Sequence, residues 1–330
     1  MATSDDRFVS AGRLPVRAAV QELVEEAYRR FVADEEGALS SVYPALAQAD
    51  PECFGLAVAF VANDLVESGD ARIPFTVMSV AKPFVFALVC ERAGLDRVRD
   101  LVGVNATGLA FNSAYAVERA PDGRTNPMVN PGAIATTSLT PGRDIEERWA
   151  WLHAGLSRFA GHELPVDEAT LASALATNHR NRALANLLTS KDALAGDPAD
   201  AVEIYTRQSC LAVTAVDLAV MGATLADGGT NPLTGERVVD PETAHATLAV
   251  MTIAGMYETS GEWLLDVGMP GKSGIGGGIV TVSPGKGALG TFSPLLDATG
   301  NSVRGVRAAR LLARTLGLDV LASAAAVTES

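Results

Sequence analysis

Basic charge, cysteine and long apolar runs are all scarce in this chain of 330 residues. Lysine and arginine together number 26 against 39 aspartate and glutamate residues, which gives a net charge of −13. Such a chain repels a phosphate backbone unless its basic residues cluster, and they do not, so we expect no nucleic-acid partner. The three cysteines, Cys53, Cys90 and Cys210, are far apart and odd in number, which argues against a disulfide framework and favours a reducing compartment.

Signals for membrane insertion and export are also missing. The most apolar run, Phe84–Cys90, is broken by Glu91 and Arg92, well short of the ~20 residues that cross a bilayer. The segment Met1–Arg7 carries acids where a signal peptide carries lysines. We therefore expect a cytoplasmic protein with no membrane association.

Metal and triad signatures are absent as well. The histidines show neither H-E-x-x-H nor cysteine-paired spacing; they are His153, His162, His179 and His245. The chain also has no G-x-S-x-G nucleophile elbow. We expect no metal and no cofactor.

The pattern of elements predicts an α+β fold. At ~150 residues per domain the length allows two units or one large, two-lobed one. Strand-like segments lie near both ends, an amphipathic helix begins and ends the chain, and the middle, about 145–254, is mostly helical. The predicted end elements are a helix over Val16–Val32, strands over Gly55–Ala62, Leu65–Glu67, Gly278–Ser283 and Ala288–Phe292, and a helix over Val303–Leu316. This order suggests one sheet built from both ends with a helical lobe inserted between them.

Two helices of the middle have marked ends. Thr214 with Asp217 predicts a capping box, and Gly228-Gly229 ends that helix. Asp240 as N-cap, followed by Pro241, begins another, which Gly255 terminates.

Ser79-Val-Ala-Lys82 is the first motif that could carry chemistry. A lysine one helical turn after a serine lies on the same face and can accept the hydroxyl proton if burial lowers its pKa. A helix N-terminus at this point would supply N–H groups to a developing oxyanion. The alternative is a plain N-cap with a surface lysine. A second S-x-x-K pair, Ser283 and Lys286, lies in a Pro-Gly turn where the side chains share no face.

Gly271-Lys-Ser-Gly274 is the second motif. A phosphate-binding loop requires glycine where Asp266 stands, which excludes the nucleotide interpretation. Class A β-lactamases pair S-x-x-K with a late K-T-G, and Lys272-Ser-Gly274 holds that late position. A tight entry into a strand is the other explanation of these glycines.

Neutral polar residues near turns form a third group. They can hold an amide and a carboxylate by hydrogen bonds, although each could equally be a turn residue or a buried, satisfied hydroxyl. They are Tyr43, Asn130, Asn181, Tyr205 and Tyr257.

From about Ser10 to Leu318 the chain resembles the serine-dependent glutaminases of bacterial and mitochondrial type. The passages that carry the resemblance are Val42–Leu46, Ser79–Pro83, Asn126–Asn130, His179–Asn181, Asp217–Met221, Gly228–Arg237, Gly255–Tyr257, Gly271–Gly274 and Asn301–Arg304. It implies a β-lactamase/transpeptidase-like fold in a single catalytic domain over 10–320. The sheet lobe would span about 10–75 and 260–320, and the helical lobe about 80–255.

The resemblance also implies an activity and the residues that perform it. L-Glutamine would be hydrolysed to L-glutamate and ammonia, with Ser79 as nucleophile, Lys82 as its base and Tyr257 moving protons. The backbone N–H groups of Ser79 and Ile275 would form the oxyanion hole. Substrate would be held at Tyr43, Asn130, Asn181 and Tyr205 together with Ser79, Tyr257 and Ile275, in a homodimer or homotetramer.

Two positions of the implied pocket depart from the family pattern. Met78 stands where the family has glutamine, and Ala174 stands where it has the glutamate that receives the α-ammonium group of the substrate. Three hypotheses follow: a glutaminase, a related amidohydrolase for an amide without a free α-ammonium, and a catalytically impaired binding or scaffold homologue.

Overall fold

The computed structural model describes residues 14–322. Residues 10–13 of the expected domain, and the segment Met1–Arg7, lie outside this range. Within it the strands are β1 (Gly55–Phe60), β2 (Asp64–Gly69), β3 (Phe75–Thr76), β4 (Ala212–Val213), β5 (Gly271–Ser273), β6 (Gly278–Ser283) and β7 (Gly287–Phe292). The α-helices are α1 (Arg17–Phe31), α2 (Ala81–Ala93), α3 (Leu95–Val102), α4 (Ala114–Arg119), α5 (Asn130–Ser138), α6 (Ile145–Ala160), α7 (Glu168–Thr177), α8 (His179–Thr189), α9 (Pro198–Ser209), α10 (Ala215–Ala226), α11 (Pro241–Ala254), α12 (Ser260–Val267) and α13 (Val303–Thr315).

Strands from both ends of the chain form one antiparallel sheet in the order β2-β1-β7-β6-β5. Its centre joins the two ends directly, since Val58 of β1 lies opposite Val66 of β2 and Leu289 of β7. The predicted α+β plan is confirmed. The second strand is longer than predicted, because ladder pairing continues from Asp64 to Gly69, past the apolar residues that marked it.

The two faces of this sheet pack against different helices. Leu56, Val58 and Phe60 of β1 join one apolar core with residues of α1, α12 and α13. Ala57 and Ala59 point to the other face and join the core shared with α2, α5 and α10. The period of two along β1 thus buries both faces of the strand.

Helix α10 packs closely against the sheet because each side of the contact carries a glycine. A Cβ on Gly290 of β7 would lie 2.1 Å from the Ala215 carbonyl oxygen of α10. A Cβ on Gly222 of α10 would lie 2.6 Å from the Cβ of Ala288. The absence of side chains here lets the backbones approach.

Of the two predicted helix caps, the one at α10 is present and the side-chain cap at α11 is not. The capping box of Thr214 and Asp217 is confirmed. Asp240 does stand at the N-cap of α11, but its side chain makes no capping bond. The carboxylate of Glu91 instead accepts from the Asp240 backbone N–H at 2.9 Å and from the Thr243 hydroxyl at 2.8 Å. Glu91 of α2 thus fastens the start of α11 by a bond to the N-cap N–H, the bond that the acid of a capping box makes, but it does not supply the side-chain cap itself.

No helix within residues 14–322 combines the length and the apolar character needed to cross a membrane.

Replacing Gly290 by alanine tests the contact between α10 and β7. The added methyl group meets backbone atoms that cannot rotate away, so we expect Gly290→Ala to lower the free energy of unfolding by about 1–3 kcal/mol. Gly261→Ala is the matched control, because its Cβ would meet nothing within 4 Å. Urea unfolding measures both. Equal stabilities of the two variants would contradict the close packing described.

Candidate active site

Ser79 lies at the junction between the helical lobe and the sheet. After β3, a 3₁₀ turn over Met78–Val80 leads directly into α2. Ser79 therefore lies in the turn that precedes α2, one residue before the N-cap Val80, and not in the first turn of the α-helix itself. Met78 has φ of +47°, a left-handed conformation that non-glycine residues adopt only when their surroundings hold them there.

A cavity of about 200 Å³ opens at Ser79. Most of the predicted site residues line it: Tyr43, Met78, Ser79, Asn130, Asn181, Tyr205 and Ile275. The other three, Lys82, Tyr257 and Ala174, lie behind these residues and reach the cavity through contacts described below. The structure thus brings together side chains from the N-terminal segment, the 3₁₀ turn before α2, the helices α5, α8 and α9, and the loop after β5.

Lys82 is buried in the first turn of α2, with an exposed fraction of 2%. Its Nζ donates to Asn130 Oδ1 at 2.7 Å, and the Met128 carbonyl oxygen is 3.5 Å away. Burial lowers the pKa of Lys82 to about 7, because the charged form loses its hydration. A substantial share of this lysine is therefore a neutral amine near neutral pH, able to accept a proton.

Asn130 and Asn181 link Lys82 to the walls of the cavity. Asn130 Oδ1 accepts a second bond from the Tyr205 hydroxyl at 3.2 Å, and its Nδ2 donates to Asn181 Oδ1 at 3.1 Å. The Tyr43 hydroxyl interacts with Asn181, which partly offsets the rise in the Tyr43 pKa caused by burial. Because lysine can only donate when charged, these partners fix which side of the Asn130 amide is oxygen.

The hydroxyls of Tyr205 and Tyr257 lie near Ser79, and their interaction with the serine partly offsets the effect of burial on the pKa of each phenol. Burial raises the pKa of both phenols, so both remain protonated at neutral pH. Tyr257 also donates to the Ser273 carbonyl oxygen at 2.9 Å and, like Met78, has a left-handed backbone, with φ of +57°.

Lys272 holds Tyr257 from behind. Its Nζ lies 4.1 Å from the centre of the Tyr257 ring and donates to the carbonyl oxygens of Gly255 at 2.8 Å and Ser273 at 2.6 Å. Burial, and secondarily the charge of Lys82, lower the pKa of Lys272 well below its ordinary value. The lysine ties the segment before Tyr257 to β5, which carries the carbonyl that Tyr257 bonds.

Glycines let the loop after β5 approach the backbone around Ser79. A Cβ on Gly274 would lie 3.2 Å from the Ser79 backbone nitrogen, and one on Gly276 would lie 2.3 Å from the Thr76 carbonyl oxygen. This close approach brings the backbone of Ile275, which lies between the two glycines, beside that of Ser79. Two N–H groups in such an arrangement are suited to an oxyanion.

The two departures from the family pattern, Met78 and Ala174, belong to one small buried apolar cluster, together with Leu46 and Cys210. Met78 lines the cavity, and Ala174 does not.

Several residues of the site were not predicted from the sequence. The ring of Phe111 lies 4.7 Å from that of Tyr257 and lines the cavity, as do Asn112 and Arg180. Lys272 was noted as part of a motif, but its contact with Tyr257 could not be read from spacing. Only Arg180, in the sequence between His179 and Asn181, lay beside a predicted residue.

The other candidate features have structural explanations. Ser283 donates to the Leu318 carbonyl oxygen at 2.8 Å and Lys286 to that of Gly317 at 2.5 Å, so this second S-x-x-K pair fastens the segment after α13. Among residues 14–322, no group of three or more histidine, cysteine, aspartate or glutamate side chains has the arrangement of a metal site.

Comparison with known proteins gives one consistent family. The family model described as Glutaminase matches residues 37–321. Glutaminase 2 of Yersinia pestis is 57% identical over 316 residues, covering 96% of this chain and 93% of its own. The glutaminase of Colwellia psychrerythraea is 44% identical over 306 residues, covering 93% and 98%.

Solved structures agree with the sequence comparisons. The probable glutaminase ybaS superposes with a TM-score of 0.90 at 38% identity, covering 92% of this chain and 98% of that one. Mglu in its native form gives a TM-score of 0.84 at 40% identity, covering 88% and 71%.

Proposed function

The chain belongs to the glutaminase family, and we propose that it hydrolyses the side-chain amide of L-glutamine through an ester formed on Ser79. The observation that carries this mechanism is the environment of Ser79. Two tyrosine hydroxyls lie near it at the edge of the cavity, while a buried lysine of lowered pKa lies one turn further along the chain.

The pKa values favour Lys82 over the neighbouring tyrosines as the base. Burial moves the pKa of Lys82 down to about 7 and moves those of Tyr205 and Tyr257 up. The phenols therefore keep their protons, and the lysine gives its proton up. Lys272 is also shifted downward, but its Nζ is committed to two backbone carbonyl oxygens on the far side of Tyr257. Lys82 is thus the best-suited base.

The reaction proceeds in two halves. The Ser79 oxygen attacks the amide carbon while its proton passes to Lys82. The tetrahedral intermediate then collapses as the proton returns from Lys82, relayed by the Tyr257 hydroxyl, to the leaving nitrogen, which departs as ammonia. A water molecule attacks the resulting ester, again losing its proton to Lys82, and glutamate leaves as Ser79 regains its hydrogen.

The oxyanion of both intermediates would face the backbone N–H groups of Ser79 and Ile275. The approach of Gly274 to the Ser79 nitrogen supports this pairing. Preorganised donors of this kind are typically worth about 10²–10³ in kcat. Tyr43, Asn130, Asn181 and Tyr205 would hold the amino-acid part of the substrate.

An intact catalytic arrangement argues against the scaffold hypothesis, because burying a lysine has no purpose in a silent homologue. Residues 10–320 would act as one catalytic unit, since Ser79 precedes the helical middle of the chain and Lys272 follows it. We expect the unit to work in the cytoplasm, as a homodimer or homotetramer.

Removal of the nucleophile tests the mechanism. We expect Ser79→Ala to lower kcat for ammonia release from L-glutamine by at least about a thousandfold, because no other group can form the ester. Ser283→Ala is the matched control. It removes the serine of the other S-x-x-K pair, whose hydroxyl donates to the Leu318 carbonyl oxygen, and it should keep full turnover. Substantial turnover by Ser79→Ala would refute the mechanism.

The pH dependence tests the base. Lys82 must be neutral to accept a proton, and its pKa is about 7, so kcat/KM should rise with pH through that value and level off above it. One unit below the midpoint the rate falls toward about a tenth of the plateau. Initial rates of ammonia release in buffers of constant ionic strength give the profile. A rate that is flat across this range, or that falls as pH rises, is incompatible with Lys82 as the base.

A double-mutant cycle tests whether Lys272 acts through Tyr257. Lys272→Met removes both hydrogen bonds of the Lys272 amine and keeps a side chain of similar length, so we expect Tyr257 to shift. A displacement of this kind can lower kcat by about 10²-fold with little change in KM. Tyr257→Phe should lower kcat as well. If Lys272 is a positioning residue, the double variant is no slower than the slower single variant. Fully multiplicative losses would show that the two side chains act independently.

A further inference from the structure

Met78 lines one side of the Ser79 cavity and belongs to a buried apolar cluster with Leu46, Ala174 and Cys210, which we call the apolar wall. All four are buried, and Tyr43, Leu171 and Ile275 pack against them. Met78, with an exposed fraction of 2%, is the member that faces the cavity. The wall therefore presents the thioether of Met78 to a bound substrate, with Ala174 and Leu46 in the same buried cluster.

The wall is held in place rather than free to swing aside. Met78 keeps a left-handed backbone conformation immediately before Ser79, which persists only where packing enforces it. Its side chain also lies against the glycine loop, since a Cβ on Gly276 would come 3.3 Å from Met78 Cγ. Substrate must fit the wall as it stands.

No carboxylate faces this wall. Among the described residues that line the cavity, none is aspartate or glutamate, and the one charged side chain is Arg180. The acids nearest Cys210 are Asp167, which caps α7 by accepting from the Thr170 N–H, and Glu168, which is exposed.

The acids near Tyr257 are committed or exposed as well. The Asp297 side chain accepts from its own loop, at Thr299 and Asn301, and Glu258 is exposed. Besides Arg180, the ionisable side chains in the described lining of the cavity are Tyr43 and Tyr205, and burial raises the pKa of both phenols. An ammonium group placed at the wall would lose water and gain no opposite charge.

A carboxylate is better provided for. Arg180 is an exposed residue that lines the cavity, and its Nε and Nη2 donate to the Asn112 carbonyl oxygen at 3.0 and 2.8 Å. This leaves the remaining donors of a planar guanidinium available to an anion. The pocket therefore suits a molecule with an amide at one end, a carboxylate at the other and no positive charge between them.

We propose that the preferred substrates are monoamides of dicarboxylic acids whose α-carbon carries no ammonium group, because the fixed wall of Met78 and Ala174 offers it no counter-charge. Glutaramate, which is glutamine without its α-amino group, is the simplest member. The inference rests on the proposed function, since it concerns the same Ser79 chemistry. It goes further by making L-glutamine the poorer of the two substrates.

The test compares the two amides on the wild-type protein. We expect kcat/KM for ammonia release to be at least about tenfold higher for glutaramate than for L-glutamine, which corresponds to the loss of one partly satisfied charge. A ratio below tenfold, or a preference for L-glutamine, would overturn the inference while leaving Ser79-dependent hydrolysis intact. Ammonia release from neither amide would instead count against the proposed function.

Binding of the products keeps the inference testable in that last case. Glutarate and L-glutamate differ only by the α-ammonium group, so isothermal titration calorimetry should give a lower Kd for glutarate. Equal or tighter binding of L-glutamate overturns the inference whether or not turnover occurs.

Substitutions at the wall test its role directly. Met78→Gln with Ala174→Glu places a carboxylate and a polar neighbour at the wall, and we expect the double variant to shift the preference toward L-glutamine by at least about tenfold. Ala174→Glu alone buries its carboxylate behind Met78, so it should shift the preference less than the double variant does.

Ala172→Glu is the matched control for these variants. It adds the same charge to the same helix, α7, at an exposed position, and should leave the preference unchanged. A shift of equal size in this control would assign the effect to overall charge and overturn the role given to the wall.

Discussion

Lys82 is a charged residue type placed where water cannot reach it, and the rest of the site depends on that placement. The part of α2 from Ala81 to Cys90 is buried, and Asn130 of α5 supplies the nearer of two acceptors for the lysine, its Oδ1 at 2.7 Å. Burial disfavours the ammonium form and lowers its pKa to about 7. The same burial raises the pKa of Tyr205 and Tyr257, so one apolar environment separates a proton acceptor from two proton donors around one serine.

The sheet positions the glycine loop after β5 and supports Tyr257. Strands from both ends of the chain meet at the pairing of β1 with β7, and the end of β5 carries the glycine loop to the backbone of Ser79. Any side chain on Gly274 or Gly276 would push that loop away. Lys272 fixes the other side of the same strand end and supports Tyr257. The oxyanion donors and the proton relay therefore share one support.

The sequence predicted the features that depend on neighbours in the chain. The capping box of Thr214 and Asp217, the spacing of Ser79 and Lys82 and the presence of β1 all follow from residues close together in the sequence. Contacts between distant segments could not be predicted in this way. Glu91 reaches the Asp240 N–H from a distant segment, and Met78 and Ala174 join one apolar cluster although they come from separate helical segments. The resemblance identified both positions as departures, but only the structure shows that they belong to the same cluster.

The ionisation of Lys82 in the free protein is the most direct test, because it requires neither substrate nor turnover. The chain has only four lysines, Lys82, Lys191, Lys272 and Lys286, so the side-chain signals of lysine-labelled protein can be assigned by comparison with Lys82→Met and Lys272→Met. An NMR titration of the Lys82 signal should give a midpoint near the pKa of about 7 set by burial. A Lys82 that remains charged to pH values of about 10, as an ordinary lysine does, would contradict the account.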